Sequence, residues 1–360
     1  MKTFADGGGN MSKRCVCLAA AYIILCATQV FGVQPRFGTT MDYPLGTNPV
    51  DLVAADINTD GKPDLVTTNY FMGSVSILMN DGSGGFGTPV NYMVLNKPTQ
   101  TCVADFNSDN LPDLAVADFG TDSISILINT GGGLFAPAAN YYGGALPVSL
   151  CQSDFNSDGK PDLAVADYKT NSVGIMLNNG DGTFAAPAPY GAGKGPNWVS
   201  ATDMNGDGKP DLAVANYESS NFSVLMNSGD GTFGVATNYA TEKYPTHVLS
   251  EDFNGDTRPD LAIPYYTGYL CVRENNGDGT FKDISDLSKT NKWGDLHGCA
   301  IGDYDNDGDQ DIYVTVGAQM GKGVGLNRLY QNNGNGVFID VADKTGVTDP
   351  KGRGRTVSWV

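Results

Sequence analysis

Asp56, Asp105, Asp154, Asp203 and Asp252 stand 49 residues apart, and Asp303 follows after 51. A period near 50 leaves few architectures open: each period must be one supersecondary unit, and units of that size stack as blades or as a solenoid. Every one of these Asp residues opens a pattern with an oxygen-bearing side chain at alternate positions. The fourth copy shows it in full, Asp203-Met204-Asn205-Gly206-Asp207-Gly208-Lys209-Pro210-Asp211.

Side chains at positions 1, 3 and 5 of a tight loop can all point inward, and hard oxygen donors suit Ca²⁺, which takes about 6–8 of them. Position 7 would add a backbone carbonyl, and Asp at position 9 would close the cage. The expected ligands are Asp56, Asn58, Asp60, Lys62 and Asp64 in the first loop, and Asp105, Asn107, Asp109, Leu111 and Asp113 in the second. The third offers Asp154, Asn156, Asp158, Lys160 and Asp162, and the fourth Asp203, Asn205, Asp207, Lys209 and Asp211. The fifth has Asp252, Asn254, Asp256, Arg258 and Asp260, and the sixth Asp303, Asp305, Asp307, Asp309 and Asp311. Up to six Ca²⁺ ions are therefore expected, one per loop. Without a cation the crowded carboxylates repel one another, and plain Asx-turn chemistry is the competing account of the pattern. Position 6 calls for a positive φ, which Gly supplies and Asn110 tolerates. Thr257 is β-branched, so the loop of Asp252 is expected to be the weakest.

The pattern begins like an EF-hand but lacks the Glu at position 12. That place holds Thr67, Val116, Val165, Val214, Ile263 and Val314, and five copies carry Pro at position 8. A strand leaves the loop, not a helix. In the fourth period Phe184 to Tyr190, Pro196 to Thr202, Leu212 to Tyr217 and Phe222 to Asn227 read as extended segments joined by Gly-rich turns. Four short strands per unit is the make-up of a propeller blade, and the fold class is all-β.

With 17% charged residues and 47 Gly in 360, the composition suits short strands and turns and argues against coiled coil or disorder. The net charge of −18 makes nucleic acid an unfavourable partner. Half of the 40 acidic residues lie in the six loops, so the acidity reads as metal-site chemistry. At the start, Lys13-Arg14 precedes the apolar run Cys15 to Ala27, which is a leader pattern ending near Gly32, with Met11 a possible start. Secretion or display at the cell surface follows, with no membrane span after cleavage; an uncleaved anchor over Cys15 to Val33 is the alternative. Cys15, Cys17 and Cys26 would leave with the leader. Cys102, Cys151, Cys271 and Cys299 read as buried free thiols, without the spacing of a zinc site.

Asp-x-Asn-x-Asp-Gly-Lys-Pro-Asp-Leu-Ala-Val, followed by Asn178-Asn179-Gly180-Asp181-Gly182-Thr183-Phe184, resembles the FG-GAP or VCBS repeat. Similar blades form the calcium-binding propeller at the head of integrin α chains. The last unit, from Asp303 to Asp309 and from Asn327 to Gly334, looks like the repeats of cartilage acidic protein and the ASPIC/UnbV group. The resemblance covers Phe37 to Val360. It implies a propeller with ligand bound on the face opposite the acidic loops.

Phe37, Phe86, Phe135, Phe184, Phe233, Phe281 and Phe338 would each begin an outer strand. Seven such strands against six loops predict a seven-bladed ring whose last blade is truncated, with Phe37 to Tyr43 covering its open edge. Alternation of antiparallel strands places the acidic loops and the Gly-Asp-Gly-Thr turns on one face. The other face collects the connections that vary most, where binding usually resides. Trp293, with Lys292 and His297 nearby, breaks the repeat there and is the expected ligand contact. Tyr70, Phe119, Tyr168, Tyr217 and Tyr266 recur at one repeat position and could stack on sugars, although packing between blades accounts for the same regularity. Catalysis has little support: His247 and His297 are the two histidines, and no nucleophile elbow or phosphate loop occurs. Asp286 and Asp295 are the one carboxylate pair outside the loops worth testing. The function expected is a binding or adhesion module for an extracellular protein or glycan, with a propeller enzyme acting on polysaccharide as the alternative.

Overall fold

Each acidic loop delivers the chain into a run such as Asp162–Asp167, Asp-Leu-Ala-Val-Ala-Asp, in which every residue is buried. An uninterrupted buried run marks a strand covered on both faces, here by the neighbouring blades. The computed structural model describes residues 41–242, 244–266, 270–285, 296–316 and 327–348, and the backbone alone of Cys15–Ala19, Tyr22–Leu25, Leu296, His297 and Gly354–Trp359. Within these residues the repeats build six four-stranded antiparallel sheets, each from four consecutive strands.

Blade one comprises Pro49–Ala55, Asp64–Asn69, Ser74–Leu78 and Val90–Met93. Blades two and three begin at Pro98–Ala104 and Pro147–Ser153, and blade four at Pro196–Thr202. Blade five has the shortened first strand Leu249–Glu251, and blade six starts with Leu296–Gly302. The core lies between blades. Phe155, Ala164, Val173 and Ile175 of blade three, for example, pack on Val199, Leu212, Val214 and Phe233 of blade four. Phe155 and Phe233 meet edge to face at 5.5 Å, as Phe106 and Phe184 do at 5.4 Å one interface earlier.

The blade count corrects the expectation of seven: the repeats make six blades. Met41–Asp42 does take an outer sheet edge, but of a four-stranded sheet that is not truncated, where it pairs antiparallel with Tyr22–Leu25. That strand in turn pairs with Cys15–Ala19, which pairs with Gly354–Trp359, so the two chain ends share one further four-stranded sheet. Gly354–Trp359 runs beside the first strands of blades six and one, joining the two ends of the row of blades. Cys15–Ala19 and Tyr22–Leu25 fall in the run that the sequence offers as a leader, which is why counting Phe residues missed this pairing. Among the described residues no helix is long and apolar enough to cross a membrane. Cys102, Cys151, Cys271 and Cys299 are all free thiols, and burial pushes Cys151 up to about 12.

Two repeated latches hold neighbouring blades in register. An Asn at or just past the end of the third strand donates its amide to the position-2 carbonyl of the preceding blade's loop: Asn129 to Ile57, Asn178 to Phe106, Asn227 to Phe155, Asn275 to Met204 and Asn332 to Phe253, at 2.8–3.1 Å. The second latch uses a bulge early in the first strand, which re-aims one side chain. Asp51 Oδ2 accepts the Thr101 N–H at 2.7 Å, Gln100 Oε1 accepts that of Leu150 at 2.9 Å, and Ser149 Oγ that of Val199 at 3.2 Å.

Candidate cation loops and the faces beside them

Each loop is wound around its first Asp. In the first copy the N–H groups of Asp60 and Gly61 donate to Asp56 at 3.0 and 2.8 Å, and the Lys62 N–H donates to Asp60 at 3.0 Å. Asn58 Oδ1 accepts from the Asp60 N–H at 2.9 Å, so positions 1, 3 and 5 all face the same enclosed backbone turn. The positive φ expected at position 6 is present throughout, from Asn110 at 65° to Gly308 at 99°, with Thr257 at 70°. Position 4 is left-handed too, at Thr59, Ser108, Ser157, Gly206, Gly255 and Asn306. Alternating left-handed residues fold the chain tightly enough for one carboxylate to collect two amides.

The position-9 carboxylates are buried and doubly engaged. Asp162 Oδ2 accepts the Phe155 N–H at 3.0 Å and Oδ1 the Asn178 N–H at 2.8 Å; the same pair of bonds recurs at Asp64, Asp113, Asp211, Asp260 and Asp311. These residues tie loop, second strand and third strand together. Each oxygen keeps a second lone pair for a cation. Burial, reinforced by the neighbouring carboxylates, pushes Asp113, Asp162 and Asp260 up to about 6 and Asp311 to about 8.

The loops differ at position 7. Lys62 and Lys160 reach the position-5 carboxylates of Asp60 and Asp158 at 3.2 Å, and Lys209 and Arg258 approach Asp207 and Asp256 at 3.7 Å. In the sixth loop Asp309 stands there instead, and oxygens of Asp303, Asp305 and Asp311 lie within 4.8 Å of one another. Asp305 is buried and takes a 2.6 Å hydrogen bond from Gln331 Nε2. The donor sets are entirely oxygen, as a hard cation requires.

Between consecutive loops the same face opens into clefts. One of about 570 Å³ lies between loops four and five, and one of about 540 Å³ between loops three and four. On the opposite face Tyr70, Phe119, Tyr168, Tyr217 and Tyr266 are half-buried, each fixed by its N–H to a left-handed residue: Asn48, Lys97, Leu146, Gly195 and Tyr244 in turn. At blades four and five this row thickens into a cluster. Tyr217 lies 4.9 Å from Tyr244 and 6.3 Å from Tyr266, and Tyr168 donates its hydroxyl to Glu218 at 2.8 Å.

Trp198 and His247, at the repeat position of Asp51, Gln100 and Ser149, bring their ring centroids within 4.2 Å at an interplanar angle of 47°, an aromatic contact between blades four and five. Trp198 is not singled out by the sequence, His247 is weighed there for catalysis alone and Tyr244 is one residue of a variable connection, although each departs from its own repeat column. Lys292 and Trp293, like Asp286 and Asp295, lie outside the described residues, and of His297 the backbone alone is described, within Leu296–Gly302.

The family model for the FG-GAP-like repeat matches residues 56–116, 154–214, 203–263 and 252–314. No curated protein matches the chain in sequence. Among solved structures, a lectin from Agrocybe aegerita that recognises non-reducing terminal N-acetylglucosamine aligns over 97% of this chain and 94% of its own, with a TM-score of 0.63 and 20% identity. A protein of unknown function from Desulfotomaculum acetoxidans gives a TM-score of 0.64 at 10% identity over 95% and 98% of the two chains. Virginiamycin B lyase from Staphylococcus aureus gives 0.55 at 13% over 82% and 84%. At these identities the likeness is one of fold.

Proposed function

The chain belongs to the FG-GAP-like repeat family, and from that premise we propose that it is a secreted, calcium-binding propeller that recognises a glycan through the face opposite its acidic loops. The observation that carries the reading is the cluster of Tyr217, Tyr244 and Tyr266, joined by Tyr168 and Glu218, on connections that a rigid set of blades holds in place. Aromatic rings with hydroxyl tips offer a flat apolar surface beside hydrogen-bonding groups, which suits a sugar ring. Tyr244 is 39% exposed, so its ring is available to a ligand. The lectin of like fold supports a recognition role. Ca²⁺ in the loops would stiffen the opposite end of every blade; the oxygens of positions 1, 3, 5 and 9 would hold it, with the position-7 carbonyl.

The test is a glycan array probed with the full chain in Ca²⁺, followed by titration of whichever saccharide binds. Replacing Tyr217 and Tyr244 by Ala is expected to weaken that binding tenfold or more while the melting temperature stays within a few degrees, since truncating half-exposed rings costs about 1 kcal/mol of stability. Unchanged affinity in both variants would overturn the assignment of the face.

A further inference from the structure

The second strand of blade three, Asp162–Asp167, ends on a buried carboxyl group whose Oδ1 has no hydrogen-bond partner among the described residues. The same oxygen lacks a partner on Asn69, Asp118 and Asn216, the matching residues of blades one, two and four. There, however, a serine of the third strand holds the side chain. Asn69 donates to Ser76 and Asn216 to Ser223 at 2.7 Å, and Ser125 donates to Asp118 at 2.5 Å. Blade three has Gly174 in the serine column, and it has Pro189 where the outer strands of the other three carry Asn91, Asn140 and Asn238. What covers Asp167 is backbone: a side chain at Gly144 would overlap the carboxyl group, so the connection 143–146 lies directly on it.

We infer that the connection 143–146 is a pH-driven flap, closed over the neutral Asp167 carboxyl group and lifted to admit water when that group ionises. A buried carboxylate without donors has to be hydrated, and the part of its surroundings able to yield is a four-residue segment with two glycines. Four hydrogen bonds hold the segment shut. The Gly143 and Leu146 N–H groups donate to the Asp122 carbonyl at 3.1 Å and to Asp122 Oδ1 at 2.9 Å, and the Ala145 and Leu146 carbonyls accept from the Lys169 and Tyr168 N–H groups at 3.3 and 3.2 Å. Burial first, then the charge of Asp122, raises Asp167 to about 7. Residues 143–150 and the third strand Ser172–Met176 bring no charged side chain to it, and Lys169 is exposed. Tyr168 turns its hydroxyl to Glu218, and Tyr190 of the outer strand turns its own to the Gly231 carbonyl. Lifting the flap returns Asp167 to the ordinary carboxylate value of 3.8, so opening releases a proton between about pH 4 and 7. The open population should rise over that interval and level off above it.

The flap goes beyond the proposed function and does not depend on it. Blade four supplies an internal control: its connection 192–195 is held by Asn171 in the same two bonds, at 2.9 Å each, but rests on Asn216, which does not ionise. The experiment is hydrogen exchange of the full chain in Ca²⁺ at pH 5 and pH 7.5, with each rate divided by its intrinsic value. The amides of Gly143, Leu146, Tyr168 and Lys169 are expected to lose protection tenfold or more at the higher pH, while those of Ala192, Gly195 and Tyr217 stay within twofold. This comparison lies within one wild-type molecule and so stands even where a variant fails to fold. Asp167→Asn, which places the amide of blades one and four there, is expected to abolish the difference, and Gly174→Ser, which restores the hydroxyl of the other three blades, to shrink it. Equal protection at the two pH values, an equal loss in both connections, or an undiminished loss in Asp167→Asn would overturn the flap.

Discussion

Asp118 is a carboxylate where blades one and four place an amide. In blade one Asn69 donates to Ser76 at 2.7 Å, and in blade four Asn216 donates to Ser223 at 2.7 Å. In blade two Ser125 instead donates to Asp118 at 2.5 Å. Burial outweighs that bond and pushes Asp118 up to about 7; Asp51 and Asp167 are likewise raised to about 7, first by burial. With folded values above the unfolded value of 3.8, the folded state holds these protons more tightly. Stability is therefore expected to fall as pH rises from 4 through 7, by at most about 4 kcal/mol per carboxylate. Urea denaturation across that range checks it. Asp118→Asn, which restores the arrangement of blades one and four, should flatten the slope and stabilise the protein at pH 8. A second prediction concerns the latch: Asn227→Ala leaves the carbonyls of Phe155 and Pro210 without their side-chain donor, and should cost about 2 kcal/mol or more in chemical denaturation.

At the scale of one loop and its strands, much was legible. Oxygen-bearing side chains at alternate positions announced a turn whose side chains converge, and Gly at position 6 announced its left-handed residue. The left-handed position 4 was not legible, because Thr59, Ser108 and Ser157 carry no signal of their own. Nor was the double engagement of the ninth residue, since its second partner lies 16 residues further on in most blades and is fixed only when the third strand folds back. The clefts escaped for the same reason: their walls come from two successive loops, which stand side by side only when the blades pack. Thr257 at φ 70° holds a β-branched side chain in a conformation that disfavours it. Thr257→Gly should stabilise the chain by about 1 kcal/mol and tighten cation binding at the fifth loop, readable as a higher midpoint in urea and a lower calcium requirement.

Across the whole molecule, the constant step of 49 residues specified repeated blades before any strand was placed. The count of blades was less legible, because the sheet of the two chain ends uses strands outside the repeat. Its pairing bears on export: if a leader ending near Gly32 is removed, that sheet gives up Cys15–Ala19 and Tyr22–Leu25, leaving Met41–Asp42 and Gly354–Trp359. Edman sequencing of exported protein should then begin at Val33, whereas a start at Met1 or Met11 would establish retention of those strands. We propose that the six oxygen-lined loops are cation sites and that the fold depends on filling them. Loops of extracellular type bind Ca²⁺ at about 10⁻⁴–10⁻³ M, and a tenfold excess adds about 1.4 kcal/mol per independent site. Titrating metal-free protein with Ca²⁺ in a calorimeter, with melting curves recorded alongside, measures this directly. The account predicts uptake approaching six ions and a melting temperature that climbs by well over ten degrees; absence of binding heat, with the same melting curve in chelator and in 10 mM Ca²⁺, would contradict it.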